Sequence, residues 1–407
     1  VSGLRAKRLA ARRVERRRAA RRSVMVAAAS VVVAVGTATG LLSAFDADRD
    51  GSDQARPDAS SSPLLAPLPE VPSASPTPSA AESPSPSART KEARKPSRAP
   101  APTSAEPTSE PAAKQAPALA SARLYRYPQS QVLDWVRAHR DDPRRPVIES
   151  EIADRPAAVW FADFTPSTIT ARVRAVTAGA AGAGRVPVLV PYAVPDRDCG
   201  GASQGGAPDL GAYDGWIDEF AAGLGSDEVI VVLEPDSIAL ANCLSTAQRT
   251  ARFASLARAG RVLKAANPNA RVYYDAGHSG WNAPAKQASL LRQAGAASAA
   301  SSDGIFSNVS NFHTTADEIA YDRRILDALG GPAGLGAVID TSRNGNGAPP
   351  DGEWCDPDGR KLGRAPTTST GEARIDAYLW VKLPGESDGC KGTPGTFTAS
   401  YAYDLAR

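Results

Sequence analysis

From Arg123 onward the chain alternates short apolar runs with amphipathic stretches, and no other feature narrows its fold so far. The apolar runs are AAVWFA (157–162), RVPVLVPY (185–192), EVIVVLEP (228–235), ARVYYDA (270–276), GIFSN (304–308), GAVID (336–340) and DAYLWVKL (376–383). Stretches with helical character, such as TITARVRAVTAGAA, YDGWIDEFAAGL, STAQRTARFASLARAGRVLKAA and TADEIAYDRRILDALG, separate most of them. Strands that are apolar throughout are covered on both faces, which is the habit of parallel sheets. The alternation predicts an α/β fold, a distorted (β/α) barrel of about seven parallel strands.

Two segments of different composition precede it. Residues 1–22 carry ten Lys or Arg against one Glu, and Ser23 to Phe45 holds no charge. A basic cluster followed by an apolar run is an export signal, and the run VMVAAASVVVAVGTATGLL is long enough to span a bilayer. Residues 1–45 are therefore expected to act either as a cleaved signal peptide or as an uncleaved membrane anchor with its basic end in the cytoplasm. Both place the rest of the chain outside the cytoplasm, secreted or anchored at the surface. Residues 46–122 contain fifteen prolines between Pro57 and Pro117 and few large apolar side chains. Such a Pro/Ser/Ala-rich segment cannot offset its chain entropy by burial and is expected to be a disordered linker.

Residues 123–407 carry 29 Lys or Arg against 33 Asp or Glu. This mildly acidic balance argues against nucleic acid, which selects a clustered basic face. In β/α barrels the chemistry sits at the C-terminal ends of the strands. The residues there are Asp163, Tyr192 with Asp198, Glu234 and Asp236, Asp275, Asn308 and Asn311, Asp340, then Lys382, Glu386 and Asp388. Single aspartates often cap helices or form turns. Agreement among so many strand ends points instead to a cleft lined with carboxyl groups. Pro235 is expected to hold Glu234 extended, because the residue before proline avoids the helical region.

Other chemistries read poorly. The three histidines, His139, His278 and His313, lack zinc-ligand spacing. Asp196-Arg197-Asp198 resembles a short cation motif, but Arg197 would compete with the metal, so no metal or cofactor is expected. No G-x-S-x-G nucleophile elbow occurs. The four cysteines, Cys199, Cys243, Cys355 and Cys390, suggest two disulfides in an exported domain, with three connectivities open.

Six stretches, VLVPYAVPDRDCGG, VIVVLEPDSIAL, YYDAGHSGW, VIDTSRNGNG, EWCDPDGRKLG and LWVKLPGESDGC, resemble in order the motifs of glycoside hydrolase family 6, the inverting cellulases. The resemblance runs from about residue 123 to the end and implies a catalytic domain over 123–407. It implies hydrolysis of β-1,4-glucosidic bonds in cellulose or related β-glucans, by a monomer without cofactor. Asp236 matches the general acid, Asp198 the aspartate that keeps it protonated, and Asp388 the base, acting directly or through a chain of waters. Tyr192 matches the tyrosine pressing on the distorted sugar, while Asp275, Lys382 and Glu386 match positions that bind it. Trp160, Trp281 and Trp354 match sugar platforms, and His278 and Asn311 lie among these sugar-binding positions. Trp135, Trp216 and Trp380 read as core. HTT at 313–315 replaces an aromatic-rich stretch of the family, and CGGASQGGA reads as a mobile loop that closes on substrate. About 285 residues leave little chain to roof the cleft, so internal cleavage is expected. The alternatives are an exo-acting cellobiohydrolase and a cell-surface polysaccharide-binding protein without turnover.

Overall fold

The computed structural model describes residues 123–407; the expectations for residues 1–45 and 46–122 lie outside the described residues. Seven strands form one parallel sheet in sequence order: β1 (Val159–Phe161), β2 (Val188–Pro191), β3 (Val229–Leu233), β4 (Ala270–Asp275), β5 (Gly304–Ser307), β6 (Gly336–Asp340) and β7 (Ile375–Leu379). Helices α1 (Gln131–Ala138) and α2 (Arg145–Ile148) precede β1. The crossovers are α3 (Ile169–Gly182), α4 (Leu210–Ala222), α5 (Thr246–Ala266), α6 (Pro284–Gln293) and α7 (Thr315–Leu329), and α8 (Ala399–Ala406) ends the chain. The β6–β7 connection contains no helix; it carries Trp354 and Cys355 instead.

The continuous apolar runs are explained by the two faces of the sheet. Alternate residues of β3 divide between two cores: Val229, Val231 and Leu233 pack toward the helices, and Ile230 and Val232 pack into the barrel interior with Tyr273, Phe306 and Val338. A strand residue alternates sides with a period of two, so burial on both faces demands apolar character at every position. Trp216 and Trp380 are buried as expected, and Trp135 lies half-buried against the third core with Phe397.

The barrel does not close with a full ladder. Across the seam between β1 and β7, the Ala158 N–H donates to the Trp380 carbonyl at 2.9 Å and the Trp160 indole donates to the Val381 carbonyl at 2.7 Å. The sheet is thus a curled half-barrel whose β1 edge stays partly open. Of the three possible disulfide connectivities the structure forms Cys199–Cys243 and Cys355–Cys390, each with Cα atoms 5.8 Å apart. Closing chain segments of this length is worth about 4 kcal/mol each in the chain-entropy account.

Candidate active site

The floor of the site is the turn that ends β3. Glu234 has φ 51° and Asp236 has φ 68°, so both flank Pro235 in the left-handed region that side-chain-bearing residues seldom adopt. The expectation of an extended Glu234 is therefore corrected. Proline disfavours the right-handed helical region for its neighbour, and the chain escapes to positive φ instead, at a cost of about 1–3 kcal/mol per residue. What holds it there is the Glu234 carboxylate. Glu234 is fully buried, and its oxygens accept from the Ala193 N–H at 2.9 Å and the Val194 N–H at 3.0 Å at the end of β2. The turn swings the chain so that Asp236 reaches the cleft floor, half-buried.

Asp236 holds its proton well above the usual carboxylate range. Burial is the largest cause, followed by the negative charges of Asp275 and Asp198. A carboxyl kept protonated by burial and like charge is what a general acid requires. Asp275, matched by resemblance to a sugar-binding position, is placed differently. It is buried, with Oδ2 accepting from the Ile238 and Ala239 N–H groups at 3.0 and 2.8 Å and Oδ1 from Gly277 at 2.9 Å. Its Oδ2 is spent on the backbone just after Asp236 and its Oδ1 on its own loop, so it positions the acid from below. Asp340 does the same at the other side of the barrel, accepting from Ser342 at 2.9 Å, Lys382 at 2.9 Å and Ser310 at 3.2 Å. The strand-end carboxyls thus divide into scaffold (Glu234, Asp275, Asp340) and groups that face the cleft.

Asp198 arrives on a tight 3-10 turn (Arg197–Gly200) and has φ 59°. Its Oδ2 accepts from the Ser203 N–H at 2.7 Å, and a Cβ on Gly201 would come within 2.5 Å of that oxygen, so any larger residue there would have to push the Asp198 carboxyl aside. Arg197 fastens this loop to the barrel. It donates to the Ala162 and Tyr192 carbonyls, donates to Ser203 O at 2.8 Å, and lies 4.4 Å above the Tyr192 ring. Buried Arg252 donates to Pro195 O at 2.6 Å, and the Cys199–Cys243 bridge ties the loop to the segment after β3. Tyr192 is nearly buried, and its phenol is pushed up by burial and by the Asp236 charge.

Asp388 sits between two cations. Its Oδ2 accepts from Arg343 at 2.7 Å and from the Asp356 N–H at 3.2 Å, and its Oδ1 lies 3.1 Å from the Lys382 ammonium. Lys382 also reaches Glu386 at 3.3 Å. Arg343 and Asp356 were missed by sequence reasoning, although both lie in quoted motifs. Arg343 is 1% exposed and also donates to the Tyr401 hydroxyl at 3.1 Å and the Ser310 carbonyl. Buried Asp356 accepts from Ser387 Oγ at 2.6 Å and from the Asp388, Cys390 and Lys391 N–H groups at 2.8, 3.0 and 3.0 Å. Together they build the loop that presents Asp388. The only sequence signal was a lone Arg in VIDTSRNGNG, which reads equally well as surface.

Trp160 stands edge-on to Tyr192 with ring centroids 5.3 Å apart, and Trp281 tilts against His278 at 5.1 Å. Gly277 has φ 67°, and a Cβ there would meet the Trp281 ring at 3.0 Å, so glycine lets this loop pass the indole. His278 stacks on His313 at 4.3 Å, and burial followed by the His313 charge lowers its imidazole to about 4. His313 of the HTT stretch thus packs its imidazole on His278. Asn311 donates to the Val309 carbonyl at 3.0 Å beside this pair. Trp354 is 55% exposed, the only large hydrophobic side chain so open among the described residues.

The buried acids make stability depend on pH. Burial raises Glu234 from 4.5 to about 7, with the Ala193 and Val194 N–H groups opposing. Its contribution is fully present below its unfolded value, declines between pH 4.5 and about 7, and then levels off. The loss is on the order of 3 kcal/mol at about 1.4 kcal/mol per unit. Denaturant titrations at pH 4.5 and 8 are expected to show the difference, and in Glu234→Gln it should shrink by that amount. An unchanged slope in the variant would show that Glu234 does not titrate in this window.

Comparison with known proteins follows the same lines. Residues 119–404 match the family model Glycosyl hydrolases family 6. The chain is similar to Endoglucanase 1 of Streptomyces sp. (strain KSM-9), 52% identical over 290 residues, covering 71% of this chain and 79% of that protein. It is similar to Endoglucanase A of Thermobispora bispora, 49% identical over 296 residues, covering 72% of this chain and 64% of that longer protein. Among solved structures it is similar to the endoglucanase Cel6 from Mycobacterium tuberculosis in complex with methyl-cellobiosyl-4-deoxy-4-thio-β-D-cellobioside. That likeness has a TM-score of 0.65 at 41% identity, covering 70% of this chain and 97% of the other.

Proposed function

This chain belongs to glycosyl hydrolase family 6, a family of inverting glycoside hydrolases, and we propose that it cleaves β-1,4-glucosidic bonds at internal positions of cellulose or related β-glucans. Asp236 donates its proton to the glycosidic oxygen as the bond to the anomeric carbon breaks. A water attacks from the opposite face, and its proton passes to Asp388, directly or through further waters. Asp198 and Asp275 keep Asp236 protonated until the leaving group needs it, and Tyr192 bears on the ring that distorts. The observation that carries this reading is Asp236 itself, half-buried at the end of β3 with its proton held by burial and two carboxylates.

Internal cleavage is supported by the exposure of Trp354, a platform left open among the described residues, and by the endoglucanases similar to the chain. A polymer reaches an open cleft anywhere along its length. The viscosity of carboxymethylcellulose is expected to fall steeply while few reducing ends have formed. Slow loss of viscosity with cellobiose as nearly the sole early product would mark an exo enzyme. Binding without release of reducing sugar from any β-glucan would mark a polysaccharide-binding protein. The enzyme acts outside the cytoplasm as a monomer, released or anchored through residues 23–45.

A further inference from the structure

The partly open seam of the half-barrel leaves space that the reaction does not use. A groove of about 680 Å³ runs from Trp160 and Glu386 outward to Tyr127, Gln129 and Arg155. Its size falls within the range of small-ligand sites. The strand order gives its direction. Asp236 follows β3, Tyr192 follows β2 and Trp160 lies in β1, so the three are successive steps toward the sheet edge. Trp281, after β4, lies on the other side of Asp236. Trp160 and Glu386, which the family resemblance places in the cleft, also line the groove, so the two meet at Trp160, which is fixed by its bond to Val381.

The lining suits a pyranose. The half-buried Tyr127 ring offers an apolar face to the C–H side of a sugar. The Tyr127 hydroxyl donates to Gln129 Oε1 at 2.9 Å, which orients the amide and leaves its N–H groups to donate outward. Arg155 is exposed, and its guanidinium has no ion-pair partner among the described residues. An aromatic face with adjoining donors, meeting the proposed sugar-binding cleft at Trp160, suits a sugar better than a purely apolar ligand.

We propose that this groove is a further sugar subsite, which receives the β-glucan units lying beyond Trp160 and away from the scissile bond, with one unit on the Tyr127 ring and hydroxyls bonded by Gln129 and Arg155. It rests on the reading of internal cleavage, because a chain cut in its middle must leave the cleft at both ends. The test measures binding rather than turnover, using the full chain carrying Asp236→Asn, titrated calorimetrically with cellotetraose and cellohexaose. Cellohexaose is expected to bind more tightly, and Tyr127→Ala to reduce that advantage about tenfold, as loss of one stacking contact implies. Tyr127→Trp should restore it. Gln129→Ala combined with Arg155→Ala should lower it as well. Variants that keep the wild-type advantage overturn the proposal, whether the groove stays empty or is covered by chain upstream of Arg123. Equal affinity for the two sugars in the parent protein overturns it too. Failure of internal cleavage would appear separately, in the viscosity assay, and leaves these binding outcomes readable.

Discussion

Replacing Asp236 with asparagine is expected to lower kcat on carboxymethylcellulose by about 10²–10⁴, the usual worth of a general acid. Asparagine is the right replacement because Asp236 has φ 68°, and asparagine tolerates the left-handed region better than other side chains of its size. Asp236→Ala should lose as much activity and also some stability. A general acid matters in proportion to how badly the leaving group needs a proton. On a dinitrophenyl β-cellobioside, whose leaving group departs as the anion, the same variants should therefore lose far less. Equal losses on both substrates would show that Asp236 does something other than protonate. The pH profile carries a second signature. Burial, Asp275 and Asp198 raise Asp236, the protonated form is the active one, and wild-type activity should fall as pH rises through that raised value. The alkaline limb should move down in Asp198→Asn, which removes one of the two raising charges.

Replacing Arg343 with methionine is expected to destabilise the domain by about 3–5 kcal/mol, the cost of removing one member of a buried ion pair. The side chain is 1% exposed and bridges Asp388, Tyr401 and the Ser310 carbonyl, with Asp356 at 3.8 Å. Without it, Asp388 keeps only Lys382 as a counter-charge, and the loop built on Asp356 loses its centre. Denaturant unfolding reads the stability, and kcat reads the displaced base. A double variant, Arg343→Met with Asp388→Asn, should recover part of the stability while staying inactive, because the uncompensated carboxylate is gone. If the single variant were as stable as wild type, the pair would be fully hydrated in solution, contrary to its burial here.

The seven strands could be read from the sequence because burial on both faces leaves an uninterrupted apolar run, a local signal that needs no knowledge of partners. Of the strand-end positions named beforehand, Asp275 and Asp340 end β4 and β6, and Tyr192, Glu234 and Asn308 directly follow β2, β3 and β5. Asp163, Asp236 and Lys382 come just after β1, β3 and β7, while Asp198, Asn311, Glu386 and Asp388 lie further out on the loops. Helices α2 and α8 escaped notice, as did α6, whose apolar pattern is short and interrupted. The seam contact between β1 and β7 was equally invisible, since Ala158 and Trp380 are more than two hundred residues apart.

Which residues touch sugar and which hold the scaffold could not be read from residue type. Asp236 and Asp275 are the same amino acid at the ends of adjacent strands, and sequence places both near the cleft. Only the fold turns Asp236 upward, by a left-handed step on each side of Pro235, and turns Asp275 under it to collect three backbone N–H groups. Composition and periodicity decide where a chain is buried, because hydrophobic burial depends on patterns of neighbouring residues. The roles of carboxyl groups depend on charges and donors brought from distant strands, as Arg343 is brought to Asp388 across 45 residues, and such encounters exist only once the sheet has curled.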